Sequence, residues 1–336
     1  MSEALPERAP LNRGTAAGDP PPTPVDSANQ LPHGAVAFFD SLTHVTPDGS
    51  WLGATKYDAR CERLITELDR CAPARACLVA IAGVIDNETV LAATCQYPDR
   101  FVPIGSINPA ALGSEREIVD AVALLAKQGC AGLKLHPRLN GYDPLHMKVI
   151  RALRAAGDAG LVVFLDTLFR QADRATRNAP DLVDALAVAA PRTKIVLLHG
   201  GGSQVLAVSE VVAAHPNLVL DLSFTIHRFA GSSVDDDLRF LMRTFDRRMV
   251  VGSDFPEYEP LATRDRLLEL GTGLDPVKSA NVLSGNLARL FADGVCPVGD
   301  NRMDSGGTGG LSASVFGTGL ENPLADKPPV PPSNLR

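Results

Sequence analysis

Histidine, aspartate and lysine sit where several short apolar runs of this sequence end. The runs close as Phe38-Phe39-Asp40-Ser41-Leu42-Thr43-His44, Lys134-Leu135-His136-Pro137, Leu165-Asp166-Thr167, His199-Gly200-Gly201-Gly202 and Gly252-Ser253-Asp254-Phe255-Pro256. Imidazole and carboxylate groups at the end of buried β structure are costly unless they pair, bind an ion or take part in chemistry. One alone is ordinarily a satisfied structural group, whereas a set converging on one opening points to a functional site. Two chemistries are open to this set. Histidine and aspartate are the ligand types that Zn2+ or a similar cation prefers, and catalytic zinc takes three protein ligands and a water. Without a metal, paired carboxylates can serve as a general acid/base pair in which burial or repulsion lifts one pKa. For Asp254 a helix N-cap or a structural ion pair is the plainer alternative.

Cations gather in the same places. Lys134, His136 and Arg138 lie in or just after the fourth run, Arg170 follows the fifth, and His227-Arg228 follow the seventh. Lys134 and His136 share strand parity, which predicts that both face one side. Such a cluster in a net-acidic chain predicts a small-molecule substrate bearing a carboxylate, for which arginine offers a bidentate fork. Each arginine taken singly reads equally well as a solvated loop residue. His33, His146 and His215 read as structural or exposed. Trp51, the only tryptophan, follows Asp48-Gly49 in the loop after the first run, where it either covers a pocket or packs the loop. Cys61, Cys71, Cys77, Cys95, Cys130 and Cys296 form no C-x-x-C pair and read as buried, reduced thiols.

The elements that must position these residues alternate between two patterns. β-rich apolar runs occur at Ala35–Asp40, Ala76–Ile81, Phe101–Ile107, Gly132–His136, Leu161–Thr167, Lys194–His199, Leu218–Phe224 and Met249–Asp254. Between them, amphipathic stretches such as Tyr57–Cys71, Ser114–Lys127, Pro144–Ala156, Ala179–Ala189 and Ser233–Phe245 predict helices. This alternation predicts an α/β fold, a (β/α)8 TIM-type barrel. A doubly wound open sheet is the rival, but the sequence lacks the glycine-rich phosphate motifs that usually mark one. Thirteen of the 26 prolines fall in residues 1–33 and 297–336. Those stretches are predicted to be disordered tails flanking a barrel at residues 34–296. With 32 Lys+Arg against 39 Asp+Glu the formal charge is −7, which argues against a nucleic-acid partner. No run approaches the roughly 18 to 20 apolar residues of a membrane span, and no basic segment precedes an apolar one at the N-terminus. The expectation is a cytoplasmic protein without a membrane partner; association into homo-oligomers is compatible with the sequence, which shows no legible interface.

The ordered motifs resemble the amidohydrolase superfamily, in particular the branch containing aminocarboxymuconate semialdehyde decarboxylase and related lactone hydrolases. The matching segments are Asp40–His44, Gly132-Leu133-Lys134-Leu135-His136-Pro137, Lys194–Gly202, Val251-Gly252-Ser253-Asp254-Phe255-Pro256 and Asn281–Phe291, in family order across 36–291. The resemblance implies that His44 is the second histidine of a strand-one metal pair and that His199 polarises substrate or relays a proton. It implies that Asp254 binds metal and accepts the proton of an attacking water. Two positions depart from the family. Leu42 stands where the first histidine of the D-x-H-x-H pattern belongs, and Asp166 stands where the fifth strand usually carries histidine. A shift of one residue would place Leu165 there instead. The broken pair argues against two metals, and so against a bridging role for Lys134. What the resemblance leaves is His44, Asp166, His199 and Asp254 at most to hold a single Zn2+ or Mn2+; the alternative is a site without metal in which Asp254 and Asp166 serve as the general acid/base pair. The implied activity is a hydrolase acting on a small carboxylated lactone or cyclic amide. A decarboxylase or isomerase on the same barrel is the alternative, and a non-catalytic binding protein on a degenerate barrel is the second.

Overall fold

The structure, a computed structural model, describes residues 37–52, 56–169 and 178–292. The expected tails at 1–33 and 297–336, together with His33, Arg170 and Cys296, lie outside the described residues.

Eight strands form one parallel sheet in sequence order: β1 Phe38–Thr43, β2 Ala74–Val79, β3 Phe101–Ser106, β4 Gly132–Leu135, β5 Val162–Asp166, β6 Ile195–Leu198, β7 Leu218–Asp221 and β8 Met249–Val250. Helices fall between the strands: α1 Cys61–Arg70, α2 Asn87–Gln96, α3 Glu115–Lys127, α4 Pro137–Asn140, α5 Met147–Asp158, α6 Ala179–Ala189, α7 Val205–Ala214, α8 Thr225–Arg228 and α9 Val234–Thr244. After β8 come α10 Pro260–Leu270, α11 Pro276–Ala280 and α12 Asn286–Ala292. Local chemistry sets the helix ends. Ser114 Oγ accepts from Glu117 N at 3.2 Å and the Glu117 carboxylate reaches back to Gly113 N at 2.9 Å, fixing the start of α3. Among the described residues no helix is long and apolar enough to cross a membrane.

The sheet closes nearly into a barrel at a seam between β1 and the chain after β8. Ser41 N donates to Val251 O, Asp254 N to Leu42 O and His44 N to Phe255 O, at 3.1, 2.9 and 2.9 Å. Asp40 stitches the same seam from the side, its Oδ1 accepting from Leu42 N at 3.1 Å and Ser253 N at 2.8 Å. Gly252 is required here, because a Cβ would lie 2.6 Å from Ser41 Oγ and 2.7 Å from Leu42 N. Inside the barrel Phe39, Leu42, Val79, Ile104, Phe164, Val196 and Leu198 share an apolar core with Leu287 and Leu290 of α12. The register shift of β1 between Asp40 and Thr43 brings Phe39 and Leu42, three apart, into that one cluster. A second, larger core lies between the strands and the helices outside them.

Strand ends differ from the sequence expectation in one instructive way. The expected strands closing at His199, Phe224 and Asp254 stop earlier, at Leu198, Asp221 and Val250. His199, Phe224 and Asp254 all have left-handed backbone, with φ of +66°, +60° and +58°. That conformation cannot continue a strand, and for residues other than glycine it costs of order 1–3 kcal/mol. β1 runs the other way, extending three residues past Asp40 to Thr43. The Asn281–Phe291 stretch is structural: Asn286 Nδ2 donates to Asp246 O and Met249 O at 2.6 and 2.5 Å, pinning the entry of β8.

Of the described cysteines, Cys71, Cys77 and Cys130 are buried as expected, while Cys61 is half-buried and Cys95 exposed; all five are free thiols.

Candidate active site

The polar strand ends converge on one cavity at the C-terminal face. It measures about 140 Å³ and is lined by His44, Lys134, His136, Arg138, His199, Asp254 and Glu257, with an apolar wall that includes Trp51, Ile81, Leu139, Leu168 and Phe224. Asp166 is not among the lining residues but pairs with His136, Arg138 and His199, which are. At about 10–15 Å³ for each water-sized group, the space suits a ligand of roughly ten such groups.

Two ion-paired clusters build the polar wall. In the first, Asp166 Oδ2 lies 3.3 Å from His199 Nε2, 3.4 Å from His136 Nε2 and 3.5 Å from an Arg138 nitrogen. Burial alone would push this carboxyl up, but the surrounding His136, His199 and Arg138 hold it well below the usual carboxylate range. His136 Nδ1 accepts from Leu139 N at 3.4 Å, which leaves its Nε2 as the donor to Asp166. Burial drives the His136 pKa down to about 3, so this imidazole is neutral. His199 has the opposite balance. Burial lowers its pKa, yet the hydrogen bond to Asp166 and the charges of Asp254 and Asp166 raise it overall. Its Nδ1 faces Ser223 O at 3.2 Å and Ser223 Oγ at 3.1 Å. The Ser223 hydroxyl donates to Asp221. Both ring nitrogens of His199 therefore have acceptors, the setting of an imidazolium.

In the second cluster His44 Nδ1 donates to Val79 O at 2.8 Å, leaving Nε2 3.6 Å from Asp254 Oδ1. Burial opposes ionisation of Asp254, but the His44 hydrogen bond and the charges of His199, His44 and Lys134 outweigh it, and the pKa is lowered. The Asp254 side chain is 14% exposed, against 0% for Asp166. Asp254 is thus the carboxylate of the two that a bound molecule can reach. Lys134, 1% exposed, has its pKa lowered to about 8, chiefly by burial.

The candidate metal set of His44, Asp166 and Asp254 is divided between these clusters. Asp254 pairs with His44, while the near oxygen of Asp166 is committed to His136, His199 and Arg138. Leu42 is buried in the barrel interior. Among the described residues no three His, Cys, Asp or Glu side chains are arranged to hold a metal ion, so the residues present do not fit one.

Other expected residues have other surroundings. His227 and Arg228, in α8, do not line the cavity. His227 Nε2 lies 2.8 Å from Thr263 Oγ1, its ring stacks on Tyr258 at 4.4 Å, and burial lowers its pKa to about 4. Arg228 is exposed. His146 Nδ1 accepts from Lys148 N at 3.1 Å at the start of α5, and His215 pairs with Asp184 at 2.7 Å. Trp51 lines the cavity, its ring stacked on His44 at 5.0 Å.

Sequence reasoning missed the residue that holds Trp51 there. Glu257 accepts from Trp51 Nε1 at 2.7 Å and from the Tyr57 hydroxyl at 2.6 Å. Its only sequence signal is its place three residues after Asp254. Below the cavity Asp221, fully buried, accepts from the Ser41 and Ser223 hydroxyls and from His199 N at 3.2 Å. Burial raises its pKa.

Solved structures with the same architecture include an uncharacterised TIM-barrel protein of Bordetella bronchiseptica, at 18% identity and TM-score 0.64 over 77% of this chain and 99% of that one. A probable 2-pyrone-4,6-dicarboxylic acid hydrolase of Acinetobacter baumannii, with citric acid bound, matches at 20% identity and TM-score 0.57 over 76% and 99%. A 5-carboxyvanillate decarboxylase of Novosphingobium aromaticivorans, complexed with manganese, matches at 12% identity and TM-score 0.58 over 76% and 96%. At such identities the likeness speaks for the fold. Comparison with curated proteins gives no match. The amidohydrolase family model matches residues 53–292, starting after β1 and so after the departure at Leu42. That match covers more than half of the sequence, and the chain belongs to the amidohydrolase family.

Proposed function

We propose that this protein hydrolyses a small cyclic ester or amide bearing a carboxylate, without a metal ion, and that Asp254 activates the water. The observation that carries this reading is the reachable Asp254 carboxylate on the cavity wall, its pKa lowered beside His44 and His199. A water beside Asp254 gives its proton to the carboxylate as its oxygen attacks the acyl carbon. His199, kept protonated by Asp166, steadies the developing oxyanion and returns a proton to the leaving oxygen or nitrogen. Arg138 and Lys134 supply the positive field for the substrate carboxylate. The pyrone dicarboxylic acid hydrolase among the similar structures lends support to a cyclic ester. The decarboxylase among them is complexed with manganese, and among the described residues the donor arrangement here offers no third ligand for such an ion. That difference favours hydrolysis over decarboxylation.

The test is a panel of carboxylated lactones, pyrones and cyclic amides, followed by ring opening in labelled water and by carbon dioxide release. Turnover should persist after chelation, and Asp254→Asn should lower it by about 10²–10⁴-fold, the usual worth of a general base. A stoichiometric divalent ion whose removal abolishes turnover, carbon dioxide release in place of ring opening, or an unimpaired Asp254→Asn enzyme would each overturn the reading.

A further inference from the structure

We propose that Lys134 is a covalent capture site for small oxo acids, its Nζ condensing with the ketone carbon to form an imine inside the barrel mouth. The inference stands apart from the hydrolytic reading, which uses Lys134 only as a positive charge.

The geometry is that of an amine held back from the usual partners. Lys134 is 1% exposed at the end of β4, yet its side chain lines the cavity. Among the described residues its Nζ has no hydrogen-bond acceptor and no ion-pair partner, whereas His136, Asp166, His199 and Asp254 each have one. Buried charges are ordinarily paired, because an unpaired one forgoes hydration without recompense. A desolvated amine near another cation is the arrangement that makes lysine a nucleophile. Burial is the main influence here and Arg138 adds to it; Asp166, Asp254 and Asp221 act against them. With the pKa brought to about 8, about a tenth of the amine is free at neutral pH, against a few parts in ten thousand for an ordinary lysine.

The cavity supplies the remaining requirements. Arg138 lies on the same wall to hold the carboxylate, and a volume of about 140 Å³ admits a short oxo acid. The Nζ lone pair forms the carbon–nitrogen bond while the carbonyl electron pair moves to oxygen, which takes a proton. The resulting hydroxyl then leaves as water as the carbon–nitrogen double bond forms. The two protons lost by nitrogen end in that water, carried by His199 and Asp254, and no oxidant or reductant takes part.

The experiment uses the full chain with pyruvate, acetoacetate and 2-oxoglutarate, each with and without borohydride, which reduces an imine irreversibly to a secondary amine. Peptide mapping of the wild-type protein is expected to find at least one of the three acids on Lys134, at least tenfold above any exposed lysine. Lys134→Met should lose that adduct, although the mapping decides the matter even where the variant fails to fold. Label confined to exposed lysines, or no label at Lys134 with any of the three acids, overturns the proposal. Lactone ring opening is measured on the same preparation. Capture without ring opening would remove the hydrolytic reading and leave this one standing; ring opening without capture would do the reverse.

Discussion

Replacing Asp40 with asparagine tests how the barrel seam tolerates a buried charge. Asp40 is fully buried; one oxygen accepts from Leu42 N within β1 and from Ser253 N across the seam, and the other, Oδ2, has no partner among the described residues. Burial is the main reason its pKa rises from 3.8 to about 7; the Ser253 and Leu42 bonds act against it, and Asp221 adds to it. A carboxyl whose pKa is higher folded than unfolded binds more protons in the folded state. Its contribution to stability is therefore complete below about pH 3.8 and is lost as pH rises through about 7. At about 1.36 kcal/mol per pKa unit, the rise corresponds to roughly 4 kcal/mol lost across that window. Asp40→Asn keeps an acceptor for the two N–H groups and cannot ionise. Urea unfolding of both proteins between about pH 4 and about pH 8 should show the variant gaining on the wild type by several kcal/mol as pH rises. The lowered pKa values of Asp166 and Asp254 act in another window: their contributions are present above about pH 3.8 and are lost on further acidification. They also cancel in the difference. A gap between the two proteins that stays constant with pH would refute the reasoning.

Three further outcomes follow from the site. Asp166→Asn removes the largest influence raising the His199 pKa, so histidine NMR should find that imidazole titrating lower than in the wild type; an unmoved titration would contradict the pairing. Glu257→Ala releases Trp51 and Tyr57, at a cost of about 1–3 kcal/mol in unfolding free energy. Because Trp51 is the only tryptophan, its emission should shift to the red in that variant and stay near wild type in Glu257→Gln. Asn286→Ala leaves two carbonyls at the entry of β8 without their donor and should cost about 1–3 kcal/mol by urea unfolding.

Much of the architecture was legible in the sequence because a parallel barrel writes its strands as short apolar runs buried on both faces. β5 and β6, with Phe164, Val196 and Leu198 turned to the barrel core, carry that signature plainly. Polar residues interrupting such runs are equally visible, which is why His44, Lys134, His136, Asp166, His199 and Asp254 could be picked out in advance. The runs do not show where a strand yields to left-handed backbone, as at His199, Phe224 and Asp254, since that depends on bonds made across the seam and to Asp221.

What the sequence determined by itself was the set of chemical groups and the period that brings them to one end of a barrel. Tertiary structure decided which groups face each other. Asp166 and Asp254 look interchangeable as buried strand-end aspartates, yet one is enclosed by His136, His199 and Arg138 while the other stands open to the cavity beside His44. The cause is physical: a carboxylate's charge state and reach depend on donors within a few ångströms, and here those donors come from strands distant in the chain. Glu257 and Trp51, 206 residues apart, meet for the same reason.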